Sequence, residues 1–308
     1  MQIRTDLAME SRNDFGCMPG VTTRSRTQGM MEETVVTIQT EDAARLLDKP
    51  CGQYITLYHR DLIHAEAEDR LQLARALADA IRGMVPPEGD LLVVGLGNRH
   101  ITADALGSHV IDSLLITRHM KDITSDELLN RLRGVCAVAP GVLGITGMET
   151  AEMVHGIVEH VHPAAVIAID ALAARESSRI CTTIQVTDTG IRPGSGVGNH
   201  RLGLTQDTLG VPVIAVGVPM VVYAAVIARD ALTMMLSDIG MPQQEHAQAI
   251  DSLIGKVVQD GLGDMVVTPR EVDEMVGKVA RIIADGLNLA LQPRLSEQEI
   301  FLLSHDSV

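Results

Sequence analysis

The stretch Leu91-Leu92-Val93-Val94-Gly95-Leu96-Gly97-Asn98-Arg99-His100-Ile101-Thr102-Ala103-Asp104 decides the fold. Four aliphatic residues in succession, Leu91–Val94, read as a strand buried on both faces. Such strands belong to parallel sheets covered by helices. Gly95 and Gly97 form a tight turn behind the strand, because glycine tolerates positive φ and lets another group approach its backbone. Ala103–Leu115 then reads as a helix. Further strands are predicted at Val135–Val138, Val166–Ile169, Thr183–Val186 and Val213–Val218. Helices are predicted at Leu62–Met84, Thr150–His160, Val221–Leu236, Gln243–Gln259 and Pro269–Ala290. This alternation predicts an α/β fold, a mostly parallel twisted sheet flanked by helices, with a helical C-terminal part. Residues 1–30 read as irregular, and Glu33–Gln39 alternates like a strand.

Hydrophobic residues make up 46% of the chain but aromatics only 2%, so the core is built from aliphatic side chains and methionine. The net charge of -15 repels polyphosphate, which argues against direct nucleic-acid binding. The uncharged run Leu209–Ala228 imitates a membrane span, but Gly210, Pro212, Gly217 and Pro219 interrupt it. It reads as a buried strand followed by a helix entered at Pro219, with no membrane association. Met1–Glu10 lacks the apolar core of a signal peptide, and Cys17, Cys51, Cys136 and Cys181 lack C-x-x-C spacing. Both point to a cytoplasmic protein with reduced cysteines, Cys136 being packed in the core.

Asp104 and Asp170 each follow an aliphatic run, and the crevice beyond the carboxyl ends of parallel strands is where such sheets place their sites. Two acids meeting there suit acid–base hydrolysis. Each also has a structural reading: Asp104 as a helix cap, Asp170 as the partner of Arg175. Asp188-Thr189-Gly190 resembles the tripeptide of pepsin-like aspartic proteases, whose all-β folds do not match this chain, yet Asp188 too follows a strand and is a candidate for the same crevice. The loop Gly194-Ser195-Gly196-Val197-Gly198 lacks the Walker and G-x-S-x-G patterns and is taken as a substrate-binding or mobile loop. Glu149, Glu152, His155 and Glu159 share one helical stripe and read as a solvated face. No histidine has diagnostic metal spacing, so neither metal nor cofactor is expected.

Several stretches together resemble the germination protease of bacterial spores: Arg4–Ala8, Gly95–Gly107, Thr117–His119, Pro140–Thr150, Asp170–Arg175, Thr187–Asn199 and Gly210–Val222. The resemblance covers nearly the whole chain. It implies a fold like that of hydrogenase-maturation proteases. It also implies an endopeptidase that degrades small acid-soluble spore proteins during germination, made as a zymogen and assembled as a homotetramer in the forespore and spore core. The family's two catalytic aspartates fall on Asp104 and Asp170. Asn98, Asp188, Gly194, Gly196 and Gly198 are this chain's own substrate-binding candidates beside them. Which aspartate acts as acid stays open. A metallopeptidase using the same carboxylates, and a non-enzymatic anion-binding module, are the alternatives. The family cuts after an acidic residue that precedes a hydrophobic residue and Ala, so Asp6-Leu7-Ala8 is the expected autocleavage site. Residues 1–6 are then a pro-segment, and residues 7–308 one peptidase domain with a C-terminal helical extension. An acidic subsite preference suggests Arg118, Arg175, Arg192 or Arg201 as its counter-charge. The chain departs from the family pattern at Val221-Val222-Tyr223-Ala224, where Tyr223 stands for an expected Asp.

Overall fold

A computed structural model describes residues 5–13, 18–120, 131–192, 202–238 and 265–305. The strands are β1 (Val21–Gln28), β2 (Met31–Ile38), β3 (Gly52–His59), β4 (Leu91–Gly95), β5 (Val135–Val138), β6 (Ala165–Ala174), β7 (Thr183–Thr187), β8 (Val213–Tyr223) and β9 (Val266–Val267). The helices are α1 (Ala8–Asn13), α2 (Glu41–Leu47), α3 (Ala67–Arg82), α4 (Leu106–Ile111), α5 (Leu143–Thr146), α6 (Thr150–Val161), α7 (Gln206–Leu209), α8 (Ala224–Asp238), α9 (Val272–Leu291) and α10 (Glu297–His305). The α/β class and the helical C-terminal part are as expected. No described helix is long and apolar enough to cross a membrane. The helix expected at Gln243–Gln259 lies outside the described residues.

All the strands join one sheet in the order β1-β2-β3-β7-β8-β6-β4-β5, with β9 on the far end of β8. The sheet is mixed. Only β8-β6-β4-β5 run parallel, and β1, β2, β3 and β7 pair antiparallel. The N-terminal segment is correspondingly not irregular. It forms α1 and the β1–β2 hairpin, which turns at Gly29 with φ +60°. Strand β1 (VTTRSRTQ) is exposed along nearly its whole length, so it carries no apolar alternation from which a strand could be read.

Two further boundaries differ from expectation. β6 continues four residues past Asp170, which therefore sits inside the strand. β8 continues through Pro219 to Tyr223, and α8 starts only at Ala224. The β6–β8 pairing shifts register between Leu172 and Ala173, opposite Pro219. A proline, which has no amide hydrogen to give a ladder, is tolerated at such an irregularity.

The two faces of the sheet are covered differently. On one, α3, α4 and α9 pack over Leu91, Val93, Ile167, Ile169, Ile214 and Val216. On the other, Val154 and Val158 of α6 meet Leu92, Val94, Val166 and Ala168. The connection from β4 into α4 folds back until backbones touch. A Cβ on Gly95 would lie 2.3 Å from the Gly107 carbonyl oxygen, and one on Gly107 would lie 2.5 Å from Leu96 N. Gly107→Ala therefore forces two backbones apart and is expected to lower stability by roughly 1–3 kcal/mol, measured by denaturant unfolding.

Candidate active site

Asp170 lies in the middle of β6 and is 7% exposed. Its Oδ1 accepts the Ala171 amide at 2.9 Å. Burial pushes its carboxyl well above the usual carboxylate range, and the charges of Asp104 and Asp6 push it further up. Asp104 reaches the same place from a 3₁₀ turn, Thr102–Asp104, after β4. Its Oδ2 accepts the Asn98 amide at 2.8 Å. Gly97, at φ +97°, makes that turn possible: a Cβ there would stand 2.0 Å from the Asp104 carbonyl oxygen. The group that approaches the glycine backbone is Asp104 itself. The Asn98 side chain accepts the His100 amide at 3.0 Å, so both halves of Asn98 hold this turn.

The third carboxylate belongs to the chain's own N-terminal segment. Asp6 N donates to Ala173 O at 3.0 Å, and Ala173 N donates to Asp6 Oδ2 at 2.8 Å. Leu7 is fully buried among Leu172, Ala173, Ala174, Val222, Tyr223 and Val226. Ala8 is buried among Val36, Ile38, Ala43, Ala44, Leu47 and Tyr54. Between them, Gln185 Nε2 donates to Asp6 O at 3.2 Å, and Gln185 Oε1 accepts Ala8 N at 2.8 Å. Leu7 N donates to Thr5 Oγ1 at 3.1 Å, and the Thr5 hydroxyl donates to Glu10. Glu10 is buried and also accepts the Arg175 and Glu176 amides at 2.8 and 3.0 Å. Lys49 Nζ donates to Thr5 O at 2.9 Å.

A third carboxylate beside two others is electrostatically unfavourable. Burial of the Leu7 side chain offsets this by roughly 1.5–3 kcal/mol, and the hydrogen bonds to Ala173 and Gln185 add to it.

Other expected residues lie elsewhere. Asp188 does not share the crevice. β7 runs antiparallel to β8, so its end points toward the start of the parallel strands. There Asp188 is exposed and accepts the Gln53 amide at 2.8 Å. Gly194, Gly196, Gly198 and Arg201 lie outside the described residues. Arg118 pairs with Asp90, ahead of β4 and at the opposite end of the sheet. The Arg175 guanidinium donates to the Glu10 carbonyl oxygen. Glu149 and Glu152 form the capping box of α6. Tyr223 closes β8 against Leu7. Cys136 is half-buried, and Cys51, Cys136 and Cys181 are free thiols. Among the described residues, no group of three or more His, Cys, Asp and Glu side chains is arranged to hold a metal ion.

Gln185 escaped the sequence reading. Thr183-Ile184-Gln185-Val186-Thr187 alternates like a strand with one solvated face, yet all five residues are buried. Only the strand order, which puts β3 and β8 on either side of β7, shows that this polar face is buried.

Because folding raises the Asp170 carboxyl, the folded chain holds that proton more tightly than the unfolded chain. The associated stability is complete below the ordinary carboxylate range and is lost as pH rises through the raised value. Asn cannot ionise and keeps the Oδ1 acceptor. Intact Asp170→Asn is therefore expected to resist thermal unfolding better than the intact parent at about pH 8, the difference closing toward about pH 4. Equal midpoints at both pH values would contradict the burial of a titrating acid.

The family model described as "Germination protease" matches residues 2–261. A germination protease of Clostridium perfringens (strain SM101) is 39% identical, covering 97% of this chain and 98% of that one. That of Caldanaerobacter subterraneus is 41% identical over 98% of each chain, and that of Bacillus subtilis 35% identical over 96% and 95%. A solved [NiFe] hydrogenase maturation protease from Thermococcus kodakarensis is a looser likeness, with a TM-score of 0.35 and 15% identity over 67% of this chain and 97% of that one. The chain belongs to the germination protease family, and it is a protease of spore germination.

Proposed function

We propose that the chain is an aspartic-type endopeptidase, made as a self-processing zymogen, that begins the degradation of small acid-soluble spore proteins. In this reading residues 1–6 are the pro-segment and residues 7–308 the peptidase domain with its C-terminal helical extension. The enzyme works as a homotetramer in the forespore and spore core. One observation carries the proposal: the Asp6 and Asp104 charges both act on buried Asp170, while hydrogen bonds to Ala173 and Gln185 hold the chain on both sides of the Asp6–Leu7 bond.

The chemistry follows from the two carboxyl environments. Buried Asp170 keeps a proton, and Asp104 carries the charge that the Asn98 amide supports. Ionised Asp104 takes a proton from water as the water oxygen bonds to the Asp6 carbonyl carbon. Asp170 then gives its proton to the Leu7 nitrogen as the C–N bond breaks. The hydroxyl proton left on the new carboxyl passes to Asp170 and the proton on Asp104 passes to the amine, which restores the pair and leaves a carboxylate on Asp6 and an ammonium on Leu7.

The neighbourhood of the bond also supports the substrate preference. The Ala173 amide receives the acidic side chain before the cut. The aliphatic pocket closed by Tyr223 takes the hydrophobic residue after it. The pocket lined by Val36, Ile38 and Tyr54 closes around Ala8 and suits an alanine.

Asp104→Asn and Asp170→Asn are each expected to slow self-processing and substrate cleavage by roughly 100-fold or more while leaving the fold intact. Asp6→Ala is expected to remain full length. Intact-mass spectrometry after incubation with an acid-soluble spore protein, with and without chelator, reads all three. Full activity in either Asn variant rejects the pair, and loss of wild-type activity in chelator points to a metal-held water instead.

A further inference from the structure

The register of three strands fixes an arrangement that the two aspartates alone do not explain. Asp170 of β6 lies opposite Gly217 of β8, and Gly217 lies opposite Gln185 of β7. In-register partners project their side chains to the same face of a sheet. Asp170 and Gln185 therefore stand on one face, two strands and about 10 Å apart. Gly217 between them has no side chain, and a Cβ there would lie 2.5 Å from Leu172 Cδ1. The space above the glycine is thus filled by the Leu172 side chain.

Gln185 meets the N-terminal segment with both ends of its amide. Nε2 donates to the carbonyl oxygen of Asp6, and Oε1 accepts the amide of Ala8. One rigid planar group spans the Asp6–Leu7 bond, as a neighbouring strand would. Gln185 is 6% exposed, so its dipole acts away from water, where a fixed donor is worth most. It is neutral and adds no charge beside the carboxyls.

We propose that Gln185 is a further catalytic residue: its Nε2 is the donor that stabilises the oxyanion at the cleaved carbonyl, and its Oε1 fixes the register of the chain after the cut. This rests on the reading that Asp6–Leu7 is the cleaved bond. As the water oxygen bonds to the Asp6 carbonyl carbon, the π pair of the C=O bond moves onto oxygen. That oxygen carries the new charge and takes the Nε2 hydrogen bond. The water proton goes to Asp104. When the pair returns to re-form the C=O bond, the C–N bond breaks and Leu7 nitrogen receives the proton of Asp170.

The test is the first-order rate of self-processing in the full chain, followed by intact mass, with folding checked by circular dichroism. Gln185→Met keeps the length and removes both hydrogen bonds. Gln185→Glu keeps the acceptor and removes the donor. Both are expected to process roughly 100-fold more slowly than wild type. In Gln185→Glu the deficit relative to wild type narrows on acidification, when the introduced carboxyl gains a proton and with it a donor, a recovery that lost packing would not produce. Processing of folded Gln185→Glu within about threefold of wild type, at a pH where the introduced carboxyl is ionised, overturns the assignment, whether or not Gln185→Met folds. Wild-type cleavage at any bond other than Asp6–Leu7, or full-rate processing by Asp170→Asn, overturns the underlying reading instead, and the role of Gln185 with it.

Discussion

Asp170 is a carboxyl group inside a buried strand, with Ile169 packed into the core on one side and Leu172 nearly so on the other. An ionised carboxylate in such a place is costly unless donors or a proton compensate it. The local structure supplies both. The Ala171 amide reaches back to Oδ1, and burial raises the carboxyl well above its usual range, which favours the protonated form. The neighbouring positions accommodate the acid as well. Gly217 leaves room over the adjacent strand, and Gly97 lets the Asp104 turn close against the sheet. The missing side chain of Gly97 lets the Asp104 turn close, and that of Gly217 makes room for Leu172.

The N-terminal segment is secured by a second buried acid. Glu10 collects the Thr5 hydroxyl and the amides of Arg175 and Glu176, which ties α1 to the end of β6 just beyond Asp170. Burial raises the Glu10 carboxyl despite these donors. The segment is therefore fixed at three kinds of contact: a polar anchor at Glu10, an apolar plug at Leu7 and the amide of Gln185 between them. Each uses a different part of the sheet end, so the Asp6–Leu7 bond is located from several directions at once.

Strands β4 and β6 were legible in the sequence because burial on both faces turns them into long aliphatic runs. β1 was not, because an edge strand exposed along its length carries no hydrophobic pattern. The extent of β8 was obscured by Pro219, which reads as a helix entry until the register shift opposite it is known. Of the candidate site, Asp104 and Asp170 stood out as acids after apolar runs. Asp188 had the same local signature and ends up at the other end of the sheet, since a strand's residues do not encode its direction. Gln185 was silent, because a polar alternation looks the same whether it faces water or a peptide.

The occupant of the groove is covalently attached to it. Leu7 and Ala8 fill their pockets from within the same chain, so they are present at an effective concentration on the order of millimolar, whatever the concentration of the protein. Any other polypeptide that uses this groove competes against that standing local concentration. The tether thus acts as a concentration threshold on access, set by chain connectivity together with the relative affinities of the two occupants.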